Sequence, residues 1–137
     1  MSSFALRVPT AHAGLQIQPN GHCFIVLPAH ETTLRDLISR KVRAEWHKLV
    51  GTGAFASSLL DLTGPLDRVE TMDVAVVVQH ALAAWERGAF LVLLGMQPLV
   101  DLDAPLTVTR ESRILFVVVP PEPIQVIALR PEQLRAA

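Results

Sequence analysis

The chain has 137 residues, 18% of them charged and 50% hydrophobic, and its formal net charge is -1. This length predicts one domain over residues 1–137, because each of two smaller domains would have too small a hydrophobic core. The net charge is close to zero and the sequence has no basic stripe, which argues against a nucleic-acid-binding protein. An ordinary domain has about 25% charged residues, so the shortage here indicates that another protein or a second copy covers some apolar surface.

The first predicted element is a β-hairpin over residues 13–28. Apolar residues alternate before Asn20-Gly21, and an apolar run follows this dipeptide. Asn-Gly supplies the positive φ that two-residue hairpin turns require, so it is the predicted turn. Residues 4–8 also alternate, and they either extend the first strand or add another one.

A capped amphipathic helix is predicted to begin at Leu34. Thr33 precedes it and Asp36 lies three residues on, which is an acidic variant of the capping box. Gly51 and Gly53 are predicted to end it. The charged residues are expected to form a solvated face, with a basic docking patch as the alternative; they are Arg35, Arg40, Lys41, Arg43, Glu45 and Lys48.

A second helix is predicted from Met72 to Arg87, after a loop over residues 54–70. Thr71 is its predicted cap, and Gly88 lies where a left-handed residue ends a helix. Few of its positions are polar, which predicts burial on more than one side.

The remaining part of the chain is predicted to contain strands and short connections. The apolar run from Ile114 to Val119 does not alternate, which is typical of a central strand that is buried on both faces. The other predicted elements are a strand over 89–94, a turn over 95–98, a short returning segment over 99–102, an edge strand over 124–129 and a loose tail over about 130–137.

This order of elements resembles the ubiquitin-like β-grasp family. Residues 90–99 are similar to ubiquitin's strand, glycine turn and following leucine, and residues 109–117 are similar to the Glu-Ser turn that opens its final strand. The resemblance implies an α+β fold in which a mixed sheet packs on one main helix and the last strand inserts beside the first. It extends to bacterial ubiquitin-like proteins with an insertion after the first helix, which here covers about residues 51–88 and contains the second helix.

The resemblance implies a non-enzymatic protein-binding module or adaptor in a multi-component bacterial system. The first alternative is a ubiquitin-like protein modifier that needs activation or trimming at its C-terminus. Conjugated modifiers end in Gly-Gly, whereas this chain ends in Arg135-Ala136-Ala137.

A partner-binding surface is predicted on the outer side of the sheet. The positions that match the hydrophobic recognition patch of ubiquitin are Val92, Leu115 and Val117. If Leu91 faces the helix, the pleat puts Val92, Leu94, Leu115 and Val117 on the opposite side. The alternative is that the second helix covers this side within the monomer.

No catalytic, metal or cofactor site is predicted. A small enzyme using His22 and Cys23 is the second alternative, but neighbouring residues of a strand point to opposite faces. Together with His12 and His30 these residues also lack the paired spacing of a zinc site. A single cysteine does not require an oxidising compartment, and no apolar run reaches the ~18 residues of a transmembrane helix. We therefore expect a cytoplasmic protein without a membrane partner.

Overall fold

A computed structural model of the chain describes residues 3–12, 18–52, 59–62, 69 and 71–119. In this part the protein is α+β, with a mixed five-stranded sheet and two helices. The strands are β1 (Phe4–His12), β2 (Gln18–Leu27), β3 (Glu31–Thr32), β4 (Phe90–Leu94), β5 (Gln97–Pro98), β6 (Leu106–Thr107) and β7 (Ile114–Val118). The two α-helices are α1 (Leu34–Thr52) and α2 (Val74–Glu86), and a 3-10 helix (Leu59–Leu62) lies between them in the chain.

The main sheet has the strand order β2-β1-β7-β4-β5. β7 lies in the middle, parallel to β1 and antiparallel to β4. The prediction of a central strand that begins at Ile114 is therefore confirmed. β3 and β6 pair in a separate two-stranded sheet, which was not predicted because two residues are too few to show a period.

The first hairpin is longer than the sequence analysis predicts. β1 and β2 pair along their whole lengths, and Gly21 lies inside β2 opposite Thr10. The prediction that Asn20-Gly21 forms the turn is therefore wrong. The observed register pairs the whole of β1 and buries the side chains of Phe4 and Val8; a turn at Gly21 would leave these apolar positions without a paired strand.

At the start of α1, the predicted capping hydrogen bond to the Thr33 hydroxyl is present, but the one to the Asp36 carboxylate is not. The hydroxyl of Thr33 accepts a hydrogen bond from the backbone N–H of Asp36 at 3.1 Å. The carboxylate of Asp36 accepts instead from the hydroxyl of Thr32 and the guanidinium of Arg40. The helix continues through Gly51, so this glycine does not end it.

α2 begins two residues after the predicted start. Asp73 caps the helix in place of Thr71, because its carboxylate accepts from the N–H of Ala75 at 2.9 Å. Gly88 follows the helix with a φ of 82°, as predicted for a left-handed C-terminal residue.

Both helices pack on the same face of the main sheet, called the inner face below; the opposite face is the outer face. Residues of α1, α2, β1, β4 and β7 form one hydrophobic core on the inner face. It includes Leu37, Val77 and Phe116. The alternative in which the second helix covers the outer face is therefore wrong, because α2 packs in the same core as α1.

Candidate protein-binding surface

The pairing of β4 with β7 decides which side chains reach the outer face. Val92 lies opposite Phe116, and Leu93 lies opposite Leu115. Directly opposite residues of an antiparallel pair share one face of the sheet. Because Val92 and Phe116 are both buried in the core, they mark the inner face, and Leu93 and Leu115 mark the outer face.

Two of the four predicted site residues lie on the inner face. Val92 is 0% exposed, and Leu94 packs against the core beside it, so their predicted outward orientation is wrong. All five residues of β4 are apolar, and such a run does not reveal which alternate positions face the helices. Leu115 and Val117 lie on the outer face as predicted, where Leu115 is partly exposed and Val117 is buried.

The outer face carries apolar side chains on four adjacent strands, with the charged side chain of Arg7 on β1 opposite Phe24. Phe24 and Val26 on β2 are 60% and 54% exposed, and Leu91 on β4 is 44% exposed. No helix among the described residues packs on this face. Single exposed apolar residues are ordinary, whereas a contiguous group of them on one face is typical of an interaction surface.

A groove of about 380 Å³ lies beside the start of β7, between β1 and the β4–β5 turn. Leu93 and Leu115 contribute apolar side chains to it, and Arg7 and Arg113 bring two guanidinium groups. Its lining residues are Arg7, Pro9, Leu93, Met96, Ser112, Arg113, Ile114 and Leu115, none of them acidic. Guanidinium groups bind carboxylates in a fixed planar geometry, so the groove can accept apolar side chains and carboxylates together.

Met96 has the most unusual backbone of the groove residues. It forms the β4–β5 turn with Gly95, and the two residues have φ values of 70° and 59°. Methionine rarely adopts a positive φ, and such conformations tend to occur at functional positions. The Met96 side chain is 73% exposed, and methionine adapts its shape to different binding partners. The sequence analysis predicted a turn over 95–98 but did not include Met96 among the site residues, because a turn signal does not show which side chain lines a groove.

A buried ion pair lies on the other side of the sheet. Lys41 and Glu45, predicted on a solvated face, are both buried, and their charged atoms are 2.9 Å apart. Lys41 donates to the carbonyl of Val8 at 3.2 Å, and Glu45 accepts from the N–H of Leu59 at 2.8 Å. Burial raises the pKa of Glu45, and the charge of Lys41 opposes this shift. The pair is enclosed and so suits a structural role.

Of the residues considered for catalysis or zinc binding, only His30 has a described side chain. His22 and Cys23 lie in β2, but their side chains are outside the described part. His30 stacks on Phe4 and donates from Nδ1 to the carbonyl of Val108 at 2.9 Å. Within the described ranges, no three His, Cys, Asp or Glu side chains are grouped so as to hold a metal ion.

Comparison with known proteins gives no relative for this chain. The sequence matches no protein-family model, and it is similar to no curated protein and no solved structure. None of the helices in the described part combines the length and the apolar character that a membrane span needs. The predicted edge strand over 124–129 and the tail over 130–137 lie outside the described residues.

Proposed function

We propose that this chain is a ubiquitin-like β-grasp domain that acts as a non-enzymatic protein-binding module. The strand order supports the fold, because in a β-grasp the last strand inserts beside the first, and β7 is parallel to β1 in the centre of the sheet. α1 follows the first hairpin and packs on the inner face. The 3-10 helix and α2 then form the insertion over residues 51–88.

The observation that carries the function is the apolar outer face with its groove. In the described part the helices cover only the inner face. The outer face keeps Leu91 and Met96 exposed next to the partly exposed Leu93 and Leu115. Contact with a partner would remove this apolar surface from water, which contributes about 25 cal/mol per Å² before the entropic costs of association are subtracted.

Arg113 in the groove defines the chemistry of the partner. It favours a partner segment that carries carboxylates next to apolar side chains. It disfavours a second copy of this chain, because an isologous contact brings the same basic groove of two copies together. We therefore propose a different protein with an acidic and apolar segment as the partner.

Selection of peptides from a phage-displayed random library against the folded protein tests this proposal. We expect enriched peptides to combine apolar residues with Asp or Glu. Leu115→Asp and Arg113→Glu should each weaken their binding at least about tenfold, which corresponds to about 1.4 kcal/mol. Val50→Asp is the matched control, since Val50 is an exposed apolar residue on α1.

Three results would contradict the proposal. The selected peptides could bind the Leu115→Asp variant as well as the unchanged protein. They could instead lose affinity for the Val50→Asp control. The selection could also yield no specific peptide while the protein associates with itself through the outer face, which would assign the surface to a second copy.

A further inference from the structure

Met96 combines high exposure with an oxidisable sulfur atom. Its side chain is 73% exposed and lines the groove of the outer face. The other methionine in the described part, Met72, is only partly exposed and packs against the core. Oxidation of methionine to the sulfoxide requires that the oxidant reaches the sulfur. We therefore expect Met96 to react with an oxidant well before Met72.

The backbone of the β4–β5 turn keeps Met96 close to Arg113. The N–H of Gly95 donates to the carbonyl of Arg113 at 2.8 Å, and Met96 follows Gly95 directly in the chain. Met96 and Arg113 line the same groove. A chemical change at the methionine sulfur therefore takes place beside the guanidinium that favours an acidic partner.

Oxidation of Met96 would change both chemical features of the groove. A peroxide transfers one oxygen atom to the sulfur: its O–O bond breaks, an S–O bond forms, the sulfur loses two electrons, and the peroxide leaves as water or as an alcohol. The apolar thioether becomes a polar sulfoxide, which is costly to bury against the apolar side chains of a partner. The sulfoxide oxygen also accepts hydrogen bonds, so it competes with a partner's carboxylate for the guanidinium of Arg113.

We propose that Met96 is a reversible oxidation site whose sulfoxide releases the partner from the groove. The oxidant is a peroxide, and a thiol-dependent sulfoxide reductase restores the thioether. In that second step a thiol pair gives two electrons and becomes a disulfide, and the sulfoxide oxygen leaves as water. The inference rests on the binding function proposed above and adds the regulation of the same site.

Peroxide treatment of the folded full chain, followed by mass-spectrometric peptide mapping and titration with a selected peptide, tests this inference. The peptide lacks methionine and cysteine, and the peroxide is removed before the titration. We expect the sulfoxide to form at Met96 before Met72, and the affinity for the peptide to fall about tenfold. Treatment of the oxidised protein with a methionine sulfoxide reductase should restore the affinity.

Two variants assign the effect to one sulfur atom. In Met96→Leu the peroxide should no longer change the affinity, whatever the starting affinity of this variant is. Met72→Leu is the matched control and should remain as sensitive to peroxide as the unchanged protein. Met96→Leu retains Cys23 and Met72, so a peroxide effect that persists in this variant comes from another residue and overturns the inference.

The remaining outcomes separate this inference from the proposed function. A peptide that binds equally well when mapping shows the sulfoxide at Met96 overturns the inference and leaves the function standing. A selection that yields no specific peptide overturns both. If peroxide unfolds the protein, as judged by circular dichroism, Met96→Gln replaces the treatment, because it places a polar amide at this position. It should bind the peptide more weakly than Met96→Leu, and equal affinities of the two variants overturn the inference.

Discussion

Lys41 and Glu45 place two opposite charges inside the core between α1 and β1. Removing charges from water is costly, and a buried pair persists only when further hydrogen bonds satisfy its polar atoms. Val8 supplies an acceptor to Lys41, and Leu59 supplies a donor to Glu45. The pair therefore links α1 both to the sheet and to the 3-10 helix.

Lys41→Met should destabilise the protein by about 3–5 kcal/mol, because it leaves a buried carboxylate without its cation. The double variant Lys41→Met/Glu45→Gln should lose about 2 kcal/mol less, since no unpaired charge remains and the amide oxygen can still accept from Leu59. Urea unfolding followed by circular dichroism measures the free energy of unfolding of the unchanged protein, of the single variants Lys41→Met and Glu45→Gln, and of the double variant. A double variant as destabilised as the sum of both single variants would contradict this account.

The loss of folding stability caused by Lys41→Met should also be smaller at low pH than at neutral pH. Burial raises the pKa of Glu45 in the folded protein, and Lys41 opposes that shift, so its removal raises the folded pKa further above the unfolded value of about 4.3. An acid with a raised folded pKa stabilises the fold below its unfolded pKa, and this contribution is lost as the pH rises through the folded pKa. The penalty should therefore be smaller near pH 4 than near pH 7, and a larger penalty near pH 4 would show that the pKa is not raised.

At the scale of elements, the β4–β5 hairpin combines backbone strain with exposure. Glycine adopts a positive φ without the penalty of about 1–2 kcal/mol that other L-residues meet. Met96→Gly should therefore raise the free energy of unfolding by up to about 1 kcal/mol, after the added flexibility of the unfolded chain is subtracted. The same change should weaken binding of the selected peptides, because it removes an exposed side chain from the groove.

Thermal unfolding and peptide titration of Met96→Gly separate the two effects. A purely structural role of Met96 predicts higher stability with unchanged binding. Our account predicts higher stability with weaker binding. Lower stability would mean that the turn does not strain the methionine.

The sequence predicted the secondary-structure elements better than it predicted the face of the sheet or helix on which each side chain lies. The α1 start, the Gly88 terminus and the central β7 strand each follow from a local signal, namely a cap, a glycine and an apolar run. The orientation of Val92 had no such signal, because every residue of β4 is apolar. The burial of Lys41 could not be predicted from the sequence either, because only the surrounding tertiary structure distinguishes a buried i,i+4 ion pair from an exposed one.

At the scale of the whole molecule, the described part of the chain is built asymmetrically. One face of the sheet carries both helices and the core, and the other carries exposed apolar side chains and two arginines beside a groove. The low share of charged residues had already indicated apolar surface that a partner covers. The strand pairing puts Leu91, Leu93 and Leu115 on the outer side of the sheet, where we propose that a partner binds.

The most direct test of this claim is methyl NMR of the leucine-labelled protein during titration with a selected acidic and apolar peptide. We predict the largest shift changes at Leu93 and Leu115, with Leu37 on α1 and Leu82 on α2 unaffected. Changes centred on the helices, with Leu93 and Leu115 unmoved, would contradict the assignment of the outer face as the binding surface.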